Sequence, residues 1–248
     1  MDYIKFTNYY IYNTNILIIK YDFNKNINLI KFNIEITSIV FANHKKFVDI
    51  INNSTSYIGS RFNQQVDNLP LGLLNLTFGK KFNQPVNNLP LGLLNLTFGD
   101  EFNQQVDNLP LGLLNLTFGF VFNQQVDNLP LGLLNLTFGY YFNQQVDNLP
   151  FGILNLTFGY CFNQSVDNLP NTIISISFDK IFPHFSLFNK QINCLPKSIT
   201  QIRLNYNYNQ EIKQIYPNLI NISCSPKYKY QDKLKSIGIK IEHIKLSI

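Results

Sequence analysis

A string of residues, FNQQVDNLPLGLLNLTFG, begins at Phe62 and returns almost letter for letter at Phe82, Phe102, Phe122 and Phe142, with a constant period of 20 residues. A sixth copy starts at Phe162 and departs after Pro170 into NTIISISFDK. Beyond an insertion at Pro183–Phe188, a degenerate copy, FNKQINCLPKSITQIRLN, runs from Phe188. A fainter one starts at Tyr208, where Asn209, Gln210, Ile212, Leu219, Ile222 and Cys224 hold the phase. Upstream, Ile36, Ile39 and Phe41 repeat the spacing of Leu73, Leu76 and Phe78, as a decayed rung would. A unit this short cannot enclose a core. Each copy must bury its apolar face against its neighbours, which makes the chain a solenoid.

Within a copy, Leu74-Asn75-Leu76-Thr77-Phe78 alternates apolar and polar, the mark of a half-buried strand. Thr and Phe suit strands, and Asn can pair with its own kind along a ladder. The remainder, NQQVDNLPLG, is too short and too rich in Asn, Pro and Gly for a helix of several turns. It predicts an extended or 3₁₀ return path. Stacked strands would run parallel about 4.8 Å apart. Constant positions then become columns: Phe62 and Phe78 inside, with Val66, Leu69, Leu73 and Leu76, and Asn75 and Thr77 facing out. Pro70 sets a turn without needing a donor. Gly72 and Gly79 are expected to supply backbone angles closed to other residues, and Asn63 to cap a turn from inside.

Charge is partitioned along the chain. Residues 62–181 hold three Lys+Arg against eight Asp+Glu, net −5, whereas residues 182–248 hold ten against three, net +7. Lys229, Lys233, Lys235, Lys240 and Lys245 alternate with apolar residues, so the basic end reads as the wet face of a terminal cap. Without an aromatic stacking motif it does not read as a nucleic-acid surface. Three cysteines, Cys161, Cys194 and Cys224, form neither a disulfide framework nor a CxxC zinc pattern. The early sequence offers only the short apolar run Ile16–Ile19, less than a signal peptide or membrane span requires. A reducing, cytoplasmic setting is expected.

The head Phe-Asn-Gln-x-Val, followed by Leu-Pro and then Leu-x-x-Leu-x-Phe-Gly, resembles the FNIP repeat. That unit is a leucine-rich-repeat relative found in social amoebae and in giant viruses that infect amoebae. The resemblance spans residues 62–181 and continues faintly to about 225. It departs in having a tighter unit and an asparagine five residues past Phe78, at Asn83. The resemblance implies a protein-binding solenoid and, in host-infecting members, a host-cell cytoplasmic location. Some FNIP proteins carry an F-box that recruits a ubiquitin ligase. Residues 1–61 lack that module's Leu-Pro start, and their one helix-like stretch is Lys45–Asn53.

Near-identical copies act as an internal control, because a position that changes between them is free, or pressed, to vary. The pair after Gly79 changes most: Lys80-Lys81, Asp100-Glu101, Phe120-Val121, Tyr140-Tyr141, Tyr160-Cys161 and Lys180-Ile181. This exit stripe, from Lys80 to Tyr160, is the candidate partner-binding surface, with an aromatic middle of the kind that marks contact sites. Neutral drift after duplication is the bland alternative. A possible acidic ladder, Asp67, Asp107, Asp127, Asp147 and Asp167, offers one carboxylate per rung, too sparse for Ca²⁺, and reads as solvated turn acids. The recurring Asn75-Leu-Thr77 sequon would place glycans too close together to coexist. Catalytic and metal-binding motifs are missing from the sequence, and His44, His184 and His243 are scattered.

These readings converge on a mainly β, leucine-rich-repeat-like solenoid with a parallel sheet. An N-terminal cap would occupy 1–61, regular repeats 62–181, degenerate repeats 182–227 and a C-terminal cap 228–248. In that cap, Gln231–Ser236 predicts a helical turn and Ile239–Leu246 a closing strand. The function expected is non-enzymatic binding of a protein partner, with no cofactor. Two alternatives stand beside it: a repeat-expansion product without a specific partner, and a ubiquitin-ligase adaptor.

Overall fold

Strand pairing in the computed structural model follows the 20-residue period. It describes residues 3–5, 9–12, 15–20, 22–25, 36–42, 60–178 and 186–244, in two units, Met1–Phe122 and Asn123–Ile248. In the first unit, β1 (Tyr3–Lys5), β2 (Tyr9–Tyr12) and β3 (Ile16–Ile19) form an antiparallel meander. From β3 onward pairing is parallel: β4 (Ser38–Phe41), β5 (Asn75–Thr77), β6 (Asn95–Thr97) and β7 (Asn115–Thr117). Register is strict, with Ile39 opposite Leu76, Leu76 opposite Leu96 and Leu96 opposite Leu116.

The second unit repeats the scheme with β8 (Asn135–Thr137), β9 (Asn155–Thr157), β10 (Ser175–Ser177), β11 (Gln201–Arg203) and β12 (Asn221–Cys224). It ends in the short helix α1 (Gln231–Ser236), which buries Leu234, and in β13 (Lys240–His243), parallel to β12. Lys240 and Glu242 form an ion pair at 2.8 Å on that last strand, in keeping with a charged sheet edge that discourages further pairing. Both units are parts of an almost all-sheet, leucine-rich-repeat-like solenoid. The return path is made of paired turns, at residues 67–68 and 71–72 in the first copy and at the equivalent places in the others. Leu73 N–H donates to the Pro70 carbonyl at 3.1 Å in one of them. The 3₁₀ alternative is not taken up among the described residues.

The interior is two columns of phenyl rings. Phe62, Phe82, Phe102 and Phe122 stack at 6.1 Å between centroids, with planes within 9° of parallel. Phe78, Phe98 and Phe118 form the second column at 5.7 Å, and Phe78 meets Phe82 across the columns at 3.7 Å. All are buried, as are Val66, Leu69, Leu73, Leu76 and their equivalents. Each such ring contributes roughly 1.5–3 kcal/mol by burial, and stacked pairs add about 0.5–1.5 kcal/mol. In the second unit the first column runs Phe142, Phe162, Phe188, Tyr208 and Tyr228. Leu204 and Cys224 replace Phe in the other column and remain buried.

The column also extends upstream through a residue that the periodicity did not mark. Phe23 stacks on Phe62 at 6.1 Å, and Asn24 Oδ1 accepts from Asn63 N–H at 2.9 Å. The Phe23-Asn24 pair is therefore the head of the rung that ends in Ile39 and Phe41. The Lys45–Asn53 stretch, His44, His184, Lys180 and Ile181 lie outside the described residues, as do residues 245–248 of the expected closing strand.

The structure refines the reading of two single residues. Asn63 does cap unpaired backbone, but that of the next copy: its Oδ1 accepts the Asn83 N–H at 2.9 Å and the Gln84 amide at 3.0 Å. The same bond recurs from Asn103 to Asn83 and from Asn163 to Asn143. It is a half-buried asparagine ladder that satisfies backbone donors lying outside the sheet. A second ladder runs along the strands' outer face, with Asn95 Nδ2 donating to Asn75 Oδ1 at 2.6 Å and Asn155 to Asn135 at 2.6 Å.

The glycine reading changes as well. Among the described residues only Gly238 has a positive φ, 87°. The glycines at the Gly79 position of later copies serve close approach: a Cβ on Gly99 would lie 2.0 Å from the Gly79 carbonyl oxygen, and one on Gly119 1.9 Å from that of Gly99. At Gly112 the nearest atom would be 3.4 Å away, an ordinary contact. Gly99→Ala is therefore expected to cost ~2 kcal/mol or more by forcing two rungs apart. Gly112→Ala should change stability by less than about 1 kcal/mol. Denaturant melts of the two variants measure the contrast, and equal losses would contradict it.

Candidate functional site

The stripe after each strand is held by a second column of backbone hydrogen bonds. Lys81 N–H donates to the Ser60 carbonyl, Glu101 to Lys80 and Val121 to Asp100 in the first unit. Cys161 donates to Tyr140 and Leu187 to Tyr160 in the second. These bonds arise where the Gly79-type glycines let the exit turns nest. Successive side-chain pairs are thereby held at rung spacing on a rigid frame.

The first unit's part of the stripe is charged, then apolar. Lys81 is exposed and its Nζ pairs with Glu101 Oε1 of the next copy, while Lys80 and Asp100 are half-buried. Phe120 is exposed and Val121 half-buried. In the second unit Tyr140 lies flat on Tyr160, 4.6 Å between centroids at 6°, and Tyr141 meets Tyr140 edge-on at 4.9 Å. Tyr141 is exposed, and Tyr140, Tyr160 and Cys161 are half-buried. Burial raises the Tyr140 phenol above its ordinary pKa, helped by neighbouring Tyr160, Cys161 and Tyr141. Burial likewise raises the Cys161 thiol. The patch is an ordered aromatic surface with hydroxyl rims.

The aspartates are engaged between rungs. Asn88 donates to Asp67 at 3.1 Å, Asn148 to Asp127 at 3.1 Å and Asn168 to Asp147 at 3.2 Å. Their carboxylates brace the outer turns, a role that the one-per-rung spacing alone did not reveal. Among the described residues no group of three or more His, Cys, Asp and Glu side chains is arranged to hold a metal ion. His243 Nε2 lies 3.0 Å from Gln231 Oε1, between β13 and α1. Among those same residues no helix is long and apolar enough to cross a membrane.

One surface feature was missed from the sequence. Leu71, Leu91 and Leu111 in the first unit, and Leu131 and Phe151 in the second, are between 74 and 87% exposed. They recur in the first five copies and contribute almost nothing to the core. The signal was available in the drifting copies. Asn171 and Lys197 take this position, while Leu169, Ile173, Leu195 and Ile199 on either side stay apolar and buried. A position that tolerates Asn and Lys beside two that do not is an outside position.

A crystal structure of CroV588, from the giant virus CroV and described as a novel circular LRR protein structure, matches with 33% sequence identity and a TM-score of 0.62 over 89% of this chain. The chain spans 38% of the length of that protein. No family model and no curated protein matches it. With the register described above, the likeness places the chain among leucine-rich-repeat-like repeat proteins.

Three tyrosines, Tyr208, Tyr216 and Tyr228, are buried toward the C-terminal end. Tyr228 Oη donates to the Gln210 carbonyl at 2.9 Å, and Tyr216 Oη donates to that of Ile192. Tyr208 occupies the phenylalanine column, and its buried hydroxyl has no partner. Burial holds the Tyr208 phenol well above its ordinary pKa, with smaller contributions from Tyr228 and Tyr216, so it stays neutral when folded. An unpaired buried hydroxyl costs about 1–3 kcal/mol. Tyr208→Phe is expected to stabilise the chain by ~1 kcal/mol at neutral pH. The gain should widen above pH ~10, where the unfolded phenol ionises and the buried one does not. Urea melts at two pH values check this, and a loss of stability on substitution would contradict it.

Proposed function

We propose that the chain is a non-enzymatic scaffold that binds a protein partner through the exit stripe Lys80, Lys81, Asp100, Glu101, Phe120, Val121, Tyr140, Tyr141 and Tyr160. The observation that carries this reading is the ordered Tyr140–Tyr160 stack with Tyr141 edge-on and half in solvent. Tyrosine supplies large contact area at low entropic cost, and a pre-ordered pair has already lost its rotamer freedom. The lysine and acid pairs of the first unit would set orientation and salt sensitivity. Solenoids of this class present such surfaces to protein partners.

The Phe-Asn-Gln-x-Val heads support membership of the FNIP-repeat branch of leucine-rich-repeat relatives. The likeness to a giant-virus protein supports a viral product acting in the reducing cytoplasm of a host cell. Three cysteines that form no disulfide are consistent with that compartment.

The test is a paired affinity capture from amoebal lysate with the wild-type chain and the Tyr140→Ser/Tyr160→Ser variant. Recovery of the wild-type partner should fall at least tenfold in the variant, with the melting temperature moving by no more than about 4 °C. Undiminished recovery, or a collapse in melting temperature showing the rings to be core, would overturn the assignment.

A further inference from the structure

Charge is segregated along the outer turns of the second unit. Residues 123–178 carry Asp127, Asp147 and Asp167, all exposed, and neither Lys nor Arg, net −3. Residues 186–244 carry nine Lys+Arg against three Asp+Glu, net +6. Those three acids, Glu211, Asp232 and Glu242, each hold a lysine, respectively Lys233, Lys235 and Lys240. The excess therefore rests on half-buried Arg203 and on exposed Lys190, Lys197, Lys213, Lys227 and Lys229.

Acid and base occupy equivalent places on successive rungs. Five residues past the ring column, Phe142 and Phe162 lead to Asp147 and Asp167, whereas Tyr208 and Tyr228 lead to Lys213 and Lys233. The intervening Asn193 is tied to this line, since its Oδ1 accepts the Lys213 N–H at 3.0 Å. Lys190 and Lys197 replace Gln144 and Phe151. Those two positions share the outer face with the aspartates: Gln144 lines a cleft with Asp127 and Asp147, and Phe151 lines one with Asp147 and Asp167. Three acidic rungs are thus followed by three basic ones.

We propose that this face pairs with the same face of a second copy, antiparallel, about a two-fold axis between the rungs of Asp167 and Lys190. The order of charges selects the occupant, because acid-acid-acid-base-base-base is complementary to its own reverse. A two-fold contact makes every pairing twice. Asp167 of one copy meets Lys190 and Lys197 of the other, and Asp147 meets Lys213. A parallel copy sets acid on acid. Rung spacing needs no coincidence, since both surfaces are the same solenoid. Exposed ion pairs fix register more than they add affinity. Phe151 and Ile215, 78 and 63% exposed, fall on facing rungs and supply apolar contact. The face shares no residue with the exit stripe.

Sedimentation velocity of the full chain tests the pairing. The wild type should dimerise with a Kd below ~100 µM at low salt. Affinity should fall at least tenfold between ~0.05 and ~0.5 M salt. Lys197→Asp/Lys213→Asp and Asp147→Lys/Asp167→Lys should each stay monomeric, because each sets like charges together. An equimolar mixture of the two should recover the dimer, one face being then all acid and the other all base. The aspartate position holds Asn87 and Lys213 in other rungs, so circular dichroism of the variants should match the wild type. A monomeric wild type, or one that forms species larger than a dimer, would overturn the proposal whether or not the variants fold. Folded variants that dimerise as the wild type does, or whose mixture stays monomeric, would overturn it too.

Discussion

Each rung is too small to be stable, and the face it cannot cover is covered by the next rung. That mutual dependence is met by three parallel systems with one period. Phenyl rings stack at 6.1 and 5.7 Å in the interior, strands pair in register, and asparagine side chains hand a hydrogen bond from copy to copy. The Gly79-type glycines decide how closely the rungs approach, since a Cβ there would overlap the preceding carbonyl. Loss of any one system would leave the others with the wrong spacing. Stability in such an array is a sum of neighbour interfaces, so it is distributed along the repeats and not concentrated at a centre.

The fold was largely legible because period and alternation act together. The 20-residue repeat demanded stacking, and Leu74–Phe78 alternated in the way a half-buried strand must. Less visible were features that depend on the neighbouring copy. Asn63 looked like a local cap because its partner, Asn83 N–H, is adjacent only once the rungs are stacked. The glycine at the Gly79 position looked like a turn residue because the close backbone approach seen at Gly99 and Gly119 leaves no trace in a single copy. Phe23 was overlooked because its rung is longer than the regular ones, although the Phe-Asn dipeptide stands in the sequence.

The candidate surfaces show the same limit. Variation between copies singled out the exit stripe, and the structure orders it, most fully at Tyr140 and Tyr160. Leu71 and its equivalents change little over the first five copies and nevertheless lie outside. Constancy among recent copies therefore does not separate core from contact surface. Substitution in the drifting copies does, because burial forbids Asn171 or Lys197 wherever a side chain lacks water or a partner. The aspartates in the same turns were read as solvated, and their bonds to Asn88, Asn148 and Asn168 show that the acidic edge is also a structural brace.

Within each unit the copies stack as interchangeable rungs around a dry interior. Excision of residues 82–101, one whole period, tests it most directly, with excision of residues 82–91 as the control. The stacked account predicts that the whole-period deletion folds cooperatively, with a β-rich circular dichroism spectrum and a modest loss of stability, because the ring columns and both asparagine ladders close again in register. The half-period deletion should fail to fold, since it sets strand against return path. Equal behaviour of the two deletions, whether both fold or both fail, would contradict the account.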